Sequence, residues 1–120
     1  APCALGATIN DVTLGRLKCS IIAGAANNQL KQEDVHGQAV MDRGIIYAPD
    51  FALNAGGVIN CYSEVKGYNS EWAMNKAEEI YHTIGNIVIR SKAENVPAYK
   101  IANKMAEERI EAIGKVKLPL

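Results

Sequence analysis

Ile45-Ile46-Tyr47-Ala48-Pro49-Asp50-Phe51-Ala52-Leu53-Asn54-Ala55-Gly56-Gly57-Val58-Ile59-Asn60-Cys61-Tyr62-Ser63 is the stretch that decides how this chain folds. The apolar run Ile45 to Ala48 reads as a buried strand, Pro49 ends it, and an apolar helix follows from about Asn54. Ligands in open α/β sheets bind beside the carboxyl ends of strands, and free N–H groups at a helix start attract carboxylates or phosphates. Gly56 and Gly57 let a ligand or another backbone approach with no Cβ in the way. A tight strand-to-helix turn is the simpler account of a lone Gly-Gly, so the rest of the chain has to weigh in.

Upstream, Lys18 to Ala23 is a second apolar run closed by Gly24, and it reads as a buried strand with Cys19 in the core. A helix from about Asp34 to Arg43 joins the two runs. Glu33 and Asp34 suit its positive end, and Arg43-Gly44 makes an ordinary stop. Strand, helix, strand is the βαβ unit of a parallel sheet. Leu5 to Leu17 holds another short helix, with Gly15 as a breaker near its end. So short a sheet leaves a buried-type strand as an open edge.

Downstream, Val58, Ile59, Cys61, Tyr62 and Val65 fall on one helix face, which Gly67 terminates. Asn69 or Ser70 caps the next helix. Its stripe of Ala73, Ala77, Ile80, Tyr81, Ile84, Ile87 and Val88 keeps helical period to about Ala93, with Gly85 inside it. Pro97 suits the first turn of a last helix carrying Ile101, Ala102, Met105, Ala106, Ile110 and Ile113, closed by Gly114.

With 120 residues the chain is one domain at most, and its 13 basic and 13 acidic residues cancel. That balance argues against nucleic acid and anionic membranes as partners. The apolar runs are too short to span a bilayer. Ala1-Pro2-Cys3 lacks a signal-peptide pattern, and three cysteines without metal-ligand spacing predict reduced thiols in a cytosolic protein, with no metal. The opening Ala1-Pro2, with no initiator Met, predicts a removed leader or a piece of something larger.

Pro2-Cys3-Ala4-Leu5-Gly6-Ala7, Ala23-Gly24-Ala25-Ala26-Asn27-Asn28-Gln29 and Asn54-Ala55-Gly56-Gly57 share one form. Each is a turn after a probable strand end, built of small residues with a polar group. In a parallel sheet such turns converge on one edge. Carboxamides offer a donor and an acceptor, and the uncharged set suits a ribose or a nicotinamide carboxamide better than a phosphate.

Taken in order with Gly-Ile-x-Tyr-Ala-Pro-Asp and Met105-Ala106-Glu107-Glu108-Arg109-Ile110, these segments resemble the amino-acid dehydrogenases, the glutamate/leucine/phenylalanine/valine family, and above all its leucine-acting branch. The resemblance runs end to end. It implies an α/β fold: a partial Rossmann-like parallel sheet of βαβ units followed by C-terminal helices. Residues 1–120 form the carboxyl-terminal part of the dinucleotide-binding domain, with helices from about 54 to 114 completing it. It implies NAD as cofactor, an amino acid or 2-oxo acid as substrate, and a homo-oligomer. The reaction is oxidative deamination of a branched-chain L-amino acid to its 2-oxo acid and ammonia. The family pattern places Ala4 and Leu5 beside the nicotinamide-side ribose, and Asn27 and Asn28 against the nicotinamide half, Asn28 foremost. It places Asn54 at the amino-acid head group, and Val58 and Cys61 along the substrate side chain. Cys61 departs from the aliphatic residue usual in the leucine-acting branch.

The family's substrate domain with its lysines, and its pyrophosphate loop, find no match here: the chain has no Gly-x-Gly-x-x-Gly. The expectation is a fragment without its general base, inactive by itself. A relative acting on phenylalanine, valine or glutamate is the alternative, as is a stand-alone non-catalytic nucleotide-binding or oligomerisation module. Residue by residue, Asn27 and Asn28 also suit a helix entry, and Val58 and Cys61 a core face. His36 and His82 read as surface or satisfied core residues, and Glu78-Glu79 and Glu107-Glu108 as solvated faces.

Overall fold

The computed structural model describes residues 1–115. Residues 116–120, over which the single-domain expectation also runs, lie outside the described residues. The order is α1 (Asp11–Leu14), β1 (Ile21–Ile22), α2 (Glu33–Asp42), β2 (Ile46–Tyr47), α3 (Asp50–Leu53), α4 (Gly56–Val65), α5 (Ser70–Glu94) and α6 (Ala98–Gly114). The fold is α/β and mostly helical.

β1 and β2 pair in parallel, Ile21 opposite Ile46 and Ile22 opposite Tyr47, with α2 as their crossover. Both strands are shorter than the apolar runs that announce them. Only Ile22 of β1 is buried; Ile21 is 59% exposed and Cys19 is exposed, so the expectation of a core Cys19 is wrong. Among the described residues β1 has a strand partner on one side alone. A single parallel bridge, Ile9 to Leu30, extends the layer. Ile9, Ile22, Leu30, Val40, Ile45 and Tyr47 make the core beneath it.

Local chemistry explains the helix starts. The Asn10 side chain accepts from the N–H groups of Val12 and Thr13, and Thr13 Oγ1 accepts from the Asn10 N–H, so α1 opens on a reciprocal cap. Asn69 caps α5 by accepting from Trp72 N–H at 2.9 Å. Gly85 does not break this 25-residue helix. Its cost of about 1 kcal/mol relative to Ala is spread over a helix packed along its length. Asn95, with φ +54°, ends it in the left-handed conformation that Asn tolerates. Pro97 stands at the N-cap of α6, one position before the first helical turn.

α5 and α6 pack antiparallel around Ile87, Ile101 and Ala102, and Ala52 of α3 joins this second core. Outside it, Arg90 donates to both oxygens of Glu108 and to Glu94, and Lys104 donates to Glu94. These hydrogen bonds hold both glutamates below the ordinary carboxylate range. α4 departs from the single-face expectation. Its buried residue is Ser63, whose Oγ accepts from Asn69 N–H and donates to Asn69 C=O, whereas Val58, Tyr62 and Val65 are exposed.

Candidate active-site edge

The three glycine-bearing turns do meet. The first, residues 2–7, lies on the second, residues 23–29. Ala26 N–H donates to Pro2 C=O at 3.0 Å, and Ala7 N–H to Asn28 C=O at 2.7 Å. Two glycines make this approach possible. A Cβ on Gly24 would overlap the Pro2 backbone, and one on Gly6 would stand 2.9 Å from the Asn27 carbonyl oxygen. Ala7 takes φ +56° and Asn28 φ +52° to complete the turn.

The third turn joins through a side chain. Asn54, the residue after α3, donates its Nδ2 to the Ala25 carbonyl at 3.3 Å and to Oδ1 of Asn27. Turn two follows β1 and turn three follows β2 through α3, so both stand at the carboxyl ends of parallel strands. Asn27 and Asn28 are exposed and Asn54 is half-buried. A Cβ on Gly56 or Gly57 would meet nothing within 4 Å, so the space before α4 is open. Among the described residues no other backbone packs against these two glycines.

Ala4 and Leu5 are exposed in the first turn. Val58 and Cys61 lie one turn apart on α4, both exposed, which corrects the core reading of that pair. Among the described residues no hydrogen bond links α4 to the first two turns. The structure thus brings Asn27, Asn28 and Asn54 together, places Ala4 and Leu5 in the adjoining turn, and leaves Val58 and Cys61 on a neighbouring helix face.

Two buried polar residues carry this edge without having been singled out from sequence. Gln29 N–H donates to Asp50 Oδ2 at 2.9 Å, and Asp50 Oδ1 accepts from Phe51 N–H at 2.6 Å. The available signal was Asp50 directly after Pro49, an acceptor at a helix start. Nearby, burial pushes the Tyr47 phenol above its ordinary range and the Asp50 charge adds to the effect, so the hydroxyl stays protonated. The turns themselves hold no carboxylate, imidazole or amine.

His36 is a satisfied core residue. Its Nδ1 lies 3.0 Å from Gln32 N and 3.1 Å from the Gln32 carbonyl oxygen, and its Nε2 faces Asp11 Oδ1 at 3.3 Å. Asp11 is 25 positions away, too far for spacing to reveal. A cavity of about 240 Å³ lies elsewhere, between α2, β2, α5 and α6, walled by Val40, Met41, Val88 and Tyr99 and by no residue of the three turns. Among the described residues no helix is long and apolar enough to cross a membrane.

The chain is similar to known proteins over nearly its whole length. The model of the Glutamate/Leucine/Phenylalanine/Valine dehydrogenase family matches residues 1–117. Leucine dehydrogenase of Thermoactinomyces intermedius is 54% identical over 117 residues, covering 98% of this chain and 32% of the relative. Leucine dehydrogenase of Bacillus subtilis (strain 168) is 56% identical over 115 residues, covering 96% and 31%. The crystal structure of L-tryptophan dehydrogenase from Nostoc punctiforme superposes with a TM-score of 0.90 at 45% identity, over 92% of this chain and 34% of that one. The chain therefore spans about a third of the length of the relatives it matches.

Proposed function

This chain belongs to the glutamate/leucine/phenylalanine/valine dehydrogenase family, and on that premise we propose that it forms one wall of the cleft in which an NAD-dependent enzyme deaminates a branched-chain L-amino acid to its 2-oxo acid and ammonia. The observation that carries this is the Asn54–Asn27 hydrogen bond, which joins two strand-end turns into a single polar edge.

The residues present suit the nicotinamide half of NAD. Exposed carboxamides and a glycine-lined space can receive a neutral amide and ribose hydroxyls, and no charge in the turns selects for phosphate. Ala4 and Leu5 would lie along the ribose, and Asn27 and Asn28 along the nicotinamide. When bound, the nicotinamide accepts hydride from the substrate Cα. Asn54 is held by Ala25 and Asn27 in one orientation, so it can meet the amino-acid head group without reorganising. Val58 and Cys61 give an uncharged surface for the side chain, which favours an aliphatic substrate over glutamate. Asn54, Val58 and Cys61 are accordingly the substrate-binding set.

The turns hold no carboxylate, imidazole or lysine amine and a single thiol, Cys3, so the general base is assigned to a residue outside them, and the 120-residue chain alone is inactive. The two paired strands belong to a larger Rossmann-like sheet, and residues 1–120 form the carboxyl-terminal part of one dinucleotide-binding domain in a cytosolic homo-oligomer.

The test is ammonium-dependent oxidation of NADH by the polypeptide that carries this chain, offered 2-oxo acids of leucine, valine and phenylalanine. Turnover with the branched acids is expected, and Asn54→Ala should reduce it by about 100-fold or more through lost orientation. Cys61→Leu should lower efficiency for leucine more than for valine, because overfilling a packed pocket costs about 1–3 kcal/mol. No turnover with any 2-oxo acid, beside intact folding, would favour a non-catalytic module.

A further inference from the structure

Gln29 is wholly buried although its side chain is a carboxamide. Nε2 donates to the Gly24 carbonyl at 2.6 Å and to the Ala26 carbonyl at 2.9 Å. Carbonyl oxygens only accept, so these contacts fix which end of the amide is nitrogen. Oε1 is then buried with no partner among the described residues, a destabilising arrangement. An apolar side chain of that length would serve packing better. What the amide supplies is a grip on two carbonyls of one turn.

The grip closes a ring. Gln29 N–H is held by Asp50, whose other oxygen opens α3, and α3 delivers Asn54. Asn54 returns to the same turn through Ala25 and Asn27. We propose that Gln29 is a positioning residue which, with Asp50, sets where the Asn27-Asn28 turn stands relative to Asn54. The proposal rests on reading those three asparagines as the cofactor- and substrate-facing edge. Gln29 acts through the backbone it holds, being buried beneath the edge.

Gln29→Met removes both donors at nearly constant volume. In the isotope-labelled chain, the Asn54 side-chain NH₂ signals report the ring directly. In Gln29→Met they are expected to move to the values of a free carboxamide and to exchange about tenfold or more faster. Amides of Ile87 and Ile101 should stay in place. Ile87→Val, which weakens the second core, should leave the Asn54 signals where they are. Unchanged Asn54 signals in Gln29→Met overturn the proposal. Should that variant fail to fold, Asp50→Asn keeps one oxygen for Gln29 N–H and is expected to move the same signals less far; no movement there overturns it as well. Titrating wild type with NADH separates the two ideas. Shifts at Asn28 that need much more NADH in Gln29→Met support both. A wild-type chain indifferent to NADH, whose Asn54 signals still collapse in Gln29→Met, removes the cofactor assignment and leaves the positioning role standing.

Discussion

The hydroxyl of Tyr99, on α6, donates to Oδ1 of Asp34, on α2, at 2.7 Å across 65 residues of sequence. Its ring lies so close over Gly37 that a Cβ there would overlap it. This contact ties the terminal helices to the crossover helix of the parallel pair, and so fixes α3 and Asn54 indirectly against the strand-end turns.

Burial first, and then the bond to Asp34, push the Tyr99 phenol up to about 12 from its ordinary 10.0. The unfolded chain therefore loses this proton before the folded one does. The stability it carries is complete below pH 10 and falls as pH climbs towards 12, and the raised Tyr47 phenol acts in the same direction. Tyr99→Phe should flatten that alkaline slope in urea midpoints and cost about 0.5–1.5 kcal/mol at neutral pH for the lost bond. An unchanged slope would show that Tyr99 ionises freely in the folded chain.

Ala7 stands at φ +56°, where an L side chain is strained, and its methyl is exposed. Ala7→Gly should therefore stabilise the chain by about 0.5–1 kcal/mol, after allowing for the extra freedom of Gly when unfolded. Asn28→Gly, at φ +52°, should gain less because Asn tolerates this region. Chemical denaturation decides between them; a loss of stability in Ala7→Gly would contradict the turn geometry.

Ile101 is 0% exposed and Ile110 is 70% exposed on the same helix. Ile101→Ala should cost about 2–5 kcal/mol through the cavity it leaves. Ile110→Ala should stay within about 0.5 kcal/mol. Equal effects at the two positions would mean that α6 does not present the Ile101 face to α5.

Val58, Tyr62 and Val65 share the outward side of α4, with Val65 83% exposed. Contiguous apolar surface of this kind drives association. Sedimentation at tens of micromolar should give a mass above the monomer, and Val65→Glu should lower it. A monomer at all concentrations would show that the exposed side of α4 is tolerated in water.

The parallel pair and every long helix were legible in the sequence, because period and capping are local. Gly67 marks one helix end, and of the two cap candidates Asn69 and Ser70 it is Asn69 that caps α5. The one-turn helix Asp50–Leu53 was hidden, since four residues carry no period. Burial was harder. Cys19 and the α4 stripe look like core in sequence, but what covers a face depends on neighbours rather than on pattern. The meeting of the second and third turns was foreseeable from strand ends, but the first turn, residues 2–7, follows no strand among the described residues. Gln29 and Asp50 were not foreseeable, because their partners lie on backbone brought near only by the fold.

The most direct measurement is an amide-resolved titration of the labelled chain with NADH. Weak binding is predicted, with shifts at Leu5, Asn27, Asn28, Gly56 and Gly57, and none at Lys104 within α6 or at Ile113 near its end. Shifts confined to the cavity walled by Val40, Val88 and Tyr99, or an unmoved strand-end edge at saturating NADH, would contradict the assignment of that edge to the cofactor.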